Sequence, residues 1–115
     1  MSSNIVRFDA MRFETAATIA GGSGAFVTLG TPLGHAMRVL HFINQTDANL
    51  IISFDGTTSN IFLGAGSFAL YDLTSDQDGN ESFRYQNGTQ LYVTYATGAP
   101  TTGELFLIAI YGKGE

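Results

Sequence analysis

Asp76, Asp78 and Asn80 stand at alternate positions in the stretch Asp76-Gln77-Asp78-Gly79-Asn80-Glu81. Side-chain oxygens so spaced match the opening of an EF-hand calcium loop. The rest of that loop does not follow. Its sixth position, where glycine makes the sharp turn, is Glu81, and its twelfth, where a bidentate glutamate closes the shell, is Asn87. The flanks read as strands rather than helices. Both a solvated acidic loop and a weak calcium site completed by a neighbouring subunit fit the pattern. The two histidines, His35 and His41, show no HxH or HExxH spacing. His41, in mid-strand, reads as a hydrogen-bonded core or interface residue. No serine lies in a GxSxG elbow, and the chain has no cysteine to serve as nucleophile or thiolate ligand. Gly21-Gly22-Ser23-Gly24 lacks the Lys-Ser/Thr of a phosphate-binding loop. Phe83, Tyr85, Tyr92 and Tyr95 could line a sugar-binding groove, but there is no tryptophan, and strand tyrosines more often pack or form protein interfaces. Asn-x-Ser/Thr triplets begin at Asn44, Asn80 and Asn87; they matter only in a secreted glycoprotein. The expectation is a protein with no catalytic residues and no cofactor.

The elements that carry these residues are short and apolar, punctuated by fourteen glycines. Runs rich in Val, Ile, Leu, Phe, Tyr and Thr alternate with period two, which is strand patterning. Met37 to Asn44 is apolar on both faces and predicts a central strand covered on both sides. Leu50 to Asp55 predicts the next strand, with Gln45 to Asn49 as a hairpin loop between them. Strands are also predicted at Ile61–Leu63, Ser67–Leu73, Phe83–Tyr85, Leu91–Ala96 and Glu104–Tyr111. Asn87-Gly88 is the strongest two-residue turn signal. Near the start, Ile5–Phe13 and Ala25–Leu29 have strand character, and Glu14–Ala20 suits either a helical turn or extended chain. Val6-Arg7-Phe8-Asp9-Ala10 and Met11-Arg12-Phe13-Glu14-Thr15 resemble each other at a spacing of five. An odd spacing puts matching residues on opposite strand faces, so the likeness reads as chance. Eight or nine short strands at this spacing predict an all-β fold: a single antiparallel β-sandwich, jelly roll or small barrel.

Composition narrows the partners. The chain has 115 residues, enough for one domain with its own core, and a formal net charge of −5. Its four arginines are scattered and Lys113 is the only lysine, which argues against nucleic-acid binding. Charged residues make up 13% of the chain, about half the usual share, so much of the exterior should be covered by partner proteins. No apolar run is long enough to span a membrane, and the Met-Ser-Ser-Asn start lacks the blocks of a signal peptide.

Seven segments carry a family resemblance: Gly30–Leu33, Asn44–Asp47, Ile52–Gly56, Gly66–Thr74, Gly88–Val93, Ala99–Gly103 and Ile110–Gly112. Together they resemble a group of short virion proteins of tailed bacteriophages, of the capsid decoration (cement) or neck-associated β-sandwich kind. The resemblance implies a structural role in the virion, assembly in the bacterial host cytoplasm, and the major capsid protein or other virion proteins as partners. It carries over no catalytic residue. Capsid decoration of the outer shell, as a homo-oligomer with a trimer favoured, is the leading expectation. A neck, tail or fibre-attachment component and a carbohydrate-binding module are the alternatives. Residues 1–24 are expected to form an extended arm with a Gly-rich hinge, lying along a neighbour's sheet edge, and residues 25–115 the sandwich. The expected interface residues are Ile5, Val6, Phe8, Met11 and Phe13 of the arm, and Thr31, Pro32, Leu33 and His35 of the following loop.

Overall fold

The computed structural model describes residues 6–72 and 86–112. Nine strands and one short helix follow one another among them: β1 (Val6–Phe8), β2 (Arg12–Thr15), α1 (Ala16–Gly21), β3 (Val27–Thr28), β4 (Val39–Asn44), β5 (Leu50–Ser53), β6 (Ile61–Leu63), β7 (Phe68–Asp72), β8 (Tyr92–Tyr95) and β9 (Glu104–Gly112). All pairings are antiparallel. One sheet has the order β1-β9-β4-β7, with β2 also on β9, and the other the order β3-β8-β5-β6. From β2 onward the chain changes sheet at every connection except β5 to β6 and thereby builds the jelly-roll form of the all-β sandwich.

Alternation decides which side chains meet between the sheets. Leu40 and Phe42 of β4 and Leu105, Leu107 and Ala109 of β9 face Leu50 and Ile52 of β5, Leu63 of β6 and Val93 of β8 in one buried cluster. Ile19 of α1 joins it. Thr15 caps that helix by accepting a hydrogen bond from the Thr18 N–H at 3.3 Å.

Gln45–Asn49 is not a hairpin loop. β4 and β5 lie in different sheets, so the segment is a corner that crosses between them. Asn44 organises it. Its buried amide donates to the carbonyls of Ala48 and Leu63 at 3.0 Å and of Gly64 at 3.1 Å, and its carbonyl accepts from the N–H and hydroxyl of Thr46. The glycosylation triplet at Asn44 therefore belongs to a buried joint. Gly103 packs against the same corner at φ 89°, where a Cβ would overlap the Gln45 carbonyl.

Residues 6–21, expected in an arm, are instead part of the sandwich. β1 and β2 lie end to end along β9 of the same chain, with Phe8 opposite Ile110 and Phe13 opposite Phe106. The expected hinge is a hydrogen-bonded turn, in which Ser23 N–H donates to Ala20 and Ala25 N–H to Gly22. Gly22 there packs so closely on Val27 that a Cβ would lie 2.7 Å from its Cγ1.

Candidate interaction surface

Between β1 and β2 the ladder gains one residue. Phe8 pairs with Ile110 and Arg12 with Leu107, so Asp9, Ala10 and Met11 stand against Ala109 and Ile108 alone. This is a β-bulge, and a bulge reverses the parity of everything beyond it. The five-residue likeness thereby comes into phase and is not chance in its placement. Phe8 and Phe13 sit four positions apart on β9, at Ile110 and Phe106, and point to the same outward face.

Arg12 locks the bulge from the inner side. It is 7% exposed and pairs with Asp9 at 3.0 Å. Its guanidinium also donates to the carbonyls of Thr31 and Pro32, both at 2.7 Å, and of Ala10 at 3.1 Å. Burial raises the Asp9 carboxyl, but the Ala10 N–H, Arg12 and His35 outweigh it and hold Asp9 below the ordinary carboxylate value. Gly30, at φ 63°, lets the backbone pass the Arg12 stem, where a Cβ would come within 2.8 Å.

The outward face that results is apolar across four strands. β9 presents Phe106, Ile108 and Ile110, and β4 presents Val39, His41 and Ile43 beside them. β7 adds Phe68 opposite Ile43 and Leu70 opposite His41. Phe8 and Phe13 are 68% and 50% exposed on one flank, Phe68 and Leu70 67% and 55% on the other. The β9 and β4 side chains between them are half-buried by their neighbours, Val39 almost fully. Phe13 and Phe106 rings lie 6.3 Å apart, and His41 meets Phe68 edge-to-face at 5.6 Å. Among the described residues charge enters this face at two ends, with Glu104 at the start of β9 and Asp72 at the end of β7. A solvated face of an antiparallel sheet would instead carry polar residues at these positions.

Sequence reasoning reached part of this surface. Of the expected interface residues, Phe8, Met11 and Phe13 are exposed, as are Thr31 and Pro32. Leu33 is a correction: it is 1% exposed and belongs to the core, held where its N–H donates to Thr89 and its carbonyl accepts from Gly88. His35 stacks on Tyr111 at 3.7 Å rather than joining the outer face. Val6 pairs with Gly112, and Ile5 lies outside the described residues. Phe68, Leu70, Phe106, Ile108 and Ile110 were missed. The signal for them was the apolar character of both faces of β4, β7 and β9, whose outward side chains, Val39 apart, the structure leaves exposed or half-buried.

The other candidate sites are not assembled. Asp76, Asp78 and Asn80 lie outside the described residues, as do Phe83 and Tyr85. Among the described residues no three His, Asp or Glu side chains form a metal-holding group. Tyr92 and Tyr95 fall on opposite faces of β8: Tyr95 shares the inner face with Leu50, while Tyr92 lies outward beside Ser53 and Thr28. They form no common platform. No helix among the described residues is long and apolar enough to cross a membrane.

No protein-family model matches the chain, and no curated protein matches it. Among solved structures it is similar to a chain from Bacillus endospore appendages, described as a family of disulfide-linked pili. The TM-score is 0.49 and the identity 16%, over 96% of this chain and 91% of that one. The present chain has no cysteine with which to make such links.

Proposed function

We propose that this protein is a non-enzymatic structural subunit that buries the outward face of its first sheet against other subunits of a larger assembly. One observation carries the reading: four adjacent strands turn apolar side chains outward on a protein whose inner core is already complete. A patch of this kind exceeds what isolated domains expose without a purpose. It lacks the basic residues that nucleic acid would need. The resemblance to short phage virion proteins gives the finer form of the proposal, a capsid decoration subunit that reinforces joints between shell proteins. A neck or tail position is the second form.

Copy number separates them. Quantitative mass spectrometry of purified virions of the encoding phage should return hundreds of copies, in simple ratio to the major shell protein. A dozen or so copies would place the protein in the neck or tail. Absence from particles would overturn the virion reading.

A further inference from the structure

We infer that the partner seated on this face is a second copy of the same chain, packed sheet against sheet about a two-fold axis. The inference rests on the structural-subunit reading and names its first partner.

Shape comes first. The face is the outside of a continuous four-strand ladder, and what packs on such a surface at interior density is another sheet with apolar side chains. The chain itself supplies one. Chemistry comes second. The centre of the face, around Ile108 and His41, holds no Asp, Glu, Lys or Arg to select an acidic or a basic partner. Two copies also keep the Asp72 carboxylates apart, because a two-fold axis in the plane of the face and parallel to the strands sends them to opposite edges.

Area comes third. Phenylalanines that expose half to two-thirds of their surface contribute about 100 Å² each, and Phe8, Phe13 and Phe68 do so. Leu70 adds a similar amount, and the half-buried β4 and β9 side chains bring the face to about 700 Å², close to the ~800 Å² per partner of a stable interface. A single flat face is used up by one partner, so the product is a closed dimer rather than a trimer.

The test uses the full chain. Wild-type protein at micromolar concentration should sediment at twice the chain mass. Phe68→Ser combined with Leu70→Ser should raise the dimer–monomer midpoint at least tenfold while the circular dichroism spectrum stays unchanged. The absence of native cysteine permits a second readout that does not depend on that variant. His41→Cys, near the expected axis, should form a disulfide-linked dimer under mild oxidation. Phe62→Cys, on the outward face of the other sheet and more exposed than His41, should not. A wild-type monomer at every concentration, or equal cross-linking at both positions, overturns the inference. A monomeric free chain found in hundreds of copies per virion would sink the dimer and leave the structural reading standing. A face-dependent dimer absent from particles would do the reverse.

Discussion

On the first sheet, the central strands β9 and β4 turn Phe106, Ile108, Ile110, Val39, His41 and Ile43 outward. On the second, β8 and β5 turn out Tyr92, Thr94, Ile51 and Ser53. The same alternating backbone thus carries two unlike surfaces. The rule for a solvated sandwich puts polar residues outward, and the second sheet has hydroxyl-bearing residues at most of these positions, Thr28 exposed at its edge and Ser53 and Thr94 themselves buried. A polar loop closes its end, where the Asp55 carboxylate accepts from the N–H groups of Thr57 and Thr58 and from the hydroxyls of Thr58 and Ser53. Those bonds, the Thr58 and Thr57 N–H groups foremost, hold Asp55 far below the usual carboxylate range. The first sheet breaks the rule over its whole width. Its inward residues already form the core, while most of the outward ones stay exposed or half-buried in the single chain, and the proposed subunit contact is what would cover them.

Alternate residues of one strand give the largest contrast. Phe42→Ala, on the inner face of β4, should cost about 4 kcal/mol of folding stability, read as a loss of denaturation midpoint. Ile43→Ser, its outward neighbour, should cost less than about 1 kcal/mol in dilute protein and act on association instead. Equal losses at both positions would mean that the outward face is part of the core. The joint between the sheets comes next. Asn44→Ala takes one donor from each of the Ala48, Leu63 and Gly64 carbonyls and the acceptor from the buried Thr46 N–H, and should cost about 2–4 kcal/mol; a loss under 1 kcal/mol would show that the corner holds without it.

The two faces can also be compared by exchanging one phenylalanine on each. Phe68→Ser should weaken association about tenfold, or 1.4 kcal/mol, whereas Phe62→Ser should leave it unchanged in the same sedimentation assay. Matching effects would erase the distinction between the faces. The smallest effect concerns the corner carboxylate Asp47. The Thr101 hydroxyl and N–H, with the Thr102 N–H, hold it down to about 2. A carboxyl lowered on folding contributes stability that is fully present above its unfolded value of 3.8 and is lost as pH falls through about 2. Denaturation midpoints of wild type and Asp47→Asn should therefore differ at pH 6 and converge as the pH drops toward 2. A constant gap would remove Asp47 from the acid response. The side chain is exposed, so the difference will be small.

Much of the fold was legible because strand patterning is local. Period-two runs located β4, β5, β6, β7, β8 and β9 to within a residue or two, and Asn87-Gly88 marked a turn in which Gly88 takes φ 92°. The all-β sandwich follows from those elements alone. The site was legible only in fragments. Phe8 and Phe13 stood out as apolar and exposed, but the five-residue spacing between them argued against a shared face, since nothing local announces a bulge at Asp9–Met11.

The amino-acid sequence by itself determined the all-β class, the strand positions and the apolar, lightly charged character of the chain, because alternation, turn chemistry and composition act over a few residues. The tertiary structure decided which sheet each strand joins, as at the Gln45–Asn49 corner, and which apolar face each sheet encloses. It also decided that a Leu33 read as surface is core, and that β1 and β2 close onto β9 rather than reach outward. Each of these depends on pairing between segments far apart in the chain, Phe13 with Phe106 for one. There a single extra residue in one strand reverses every face beyond it.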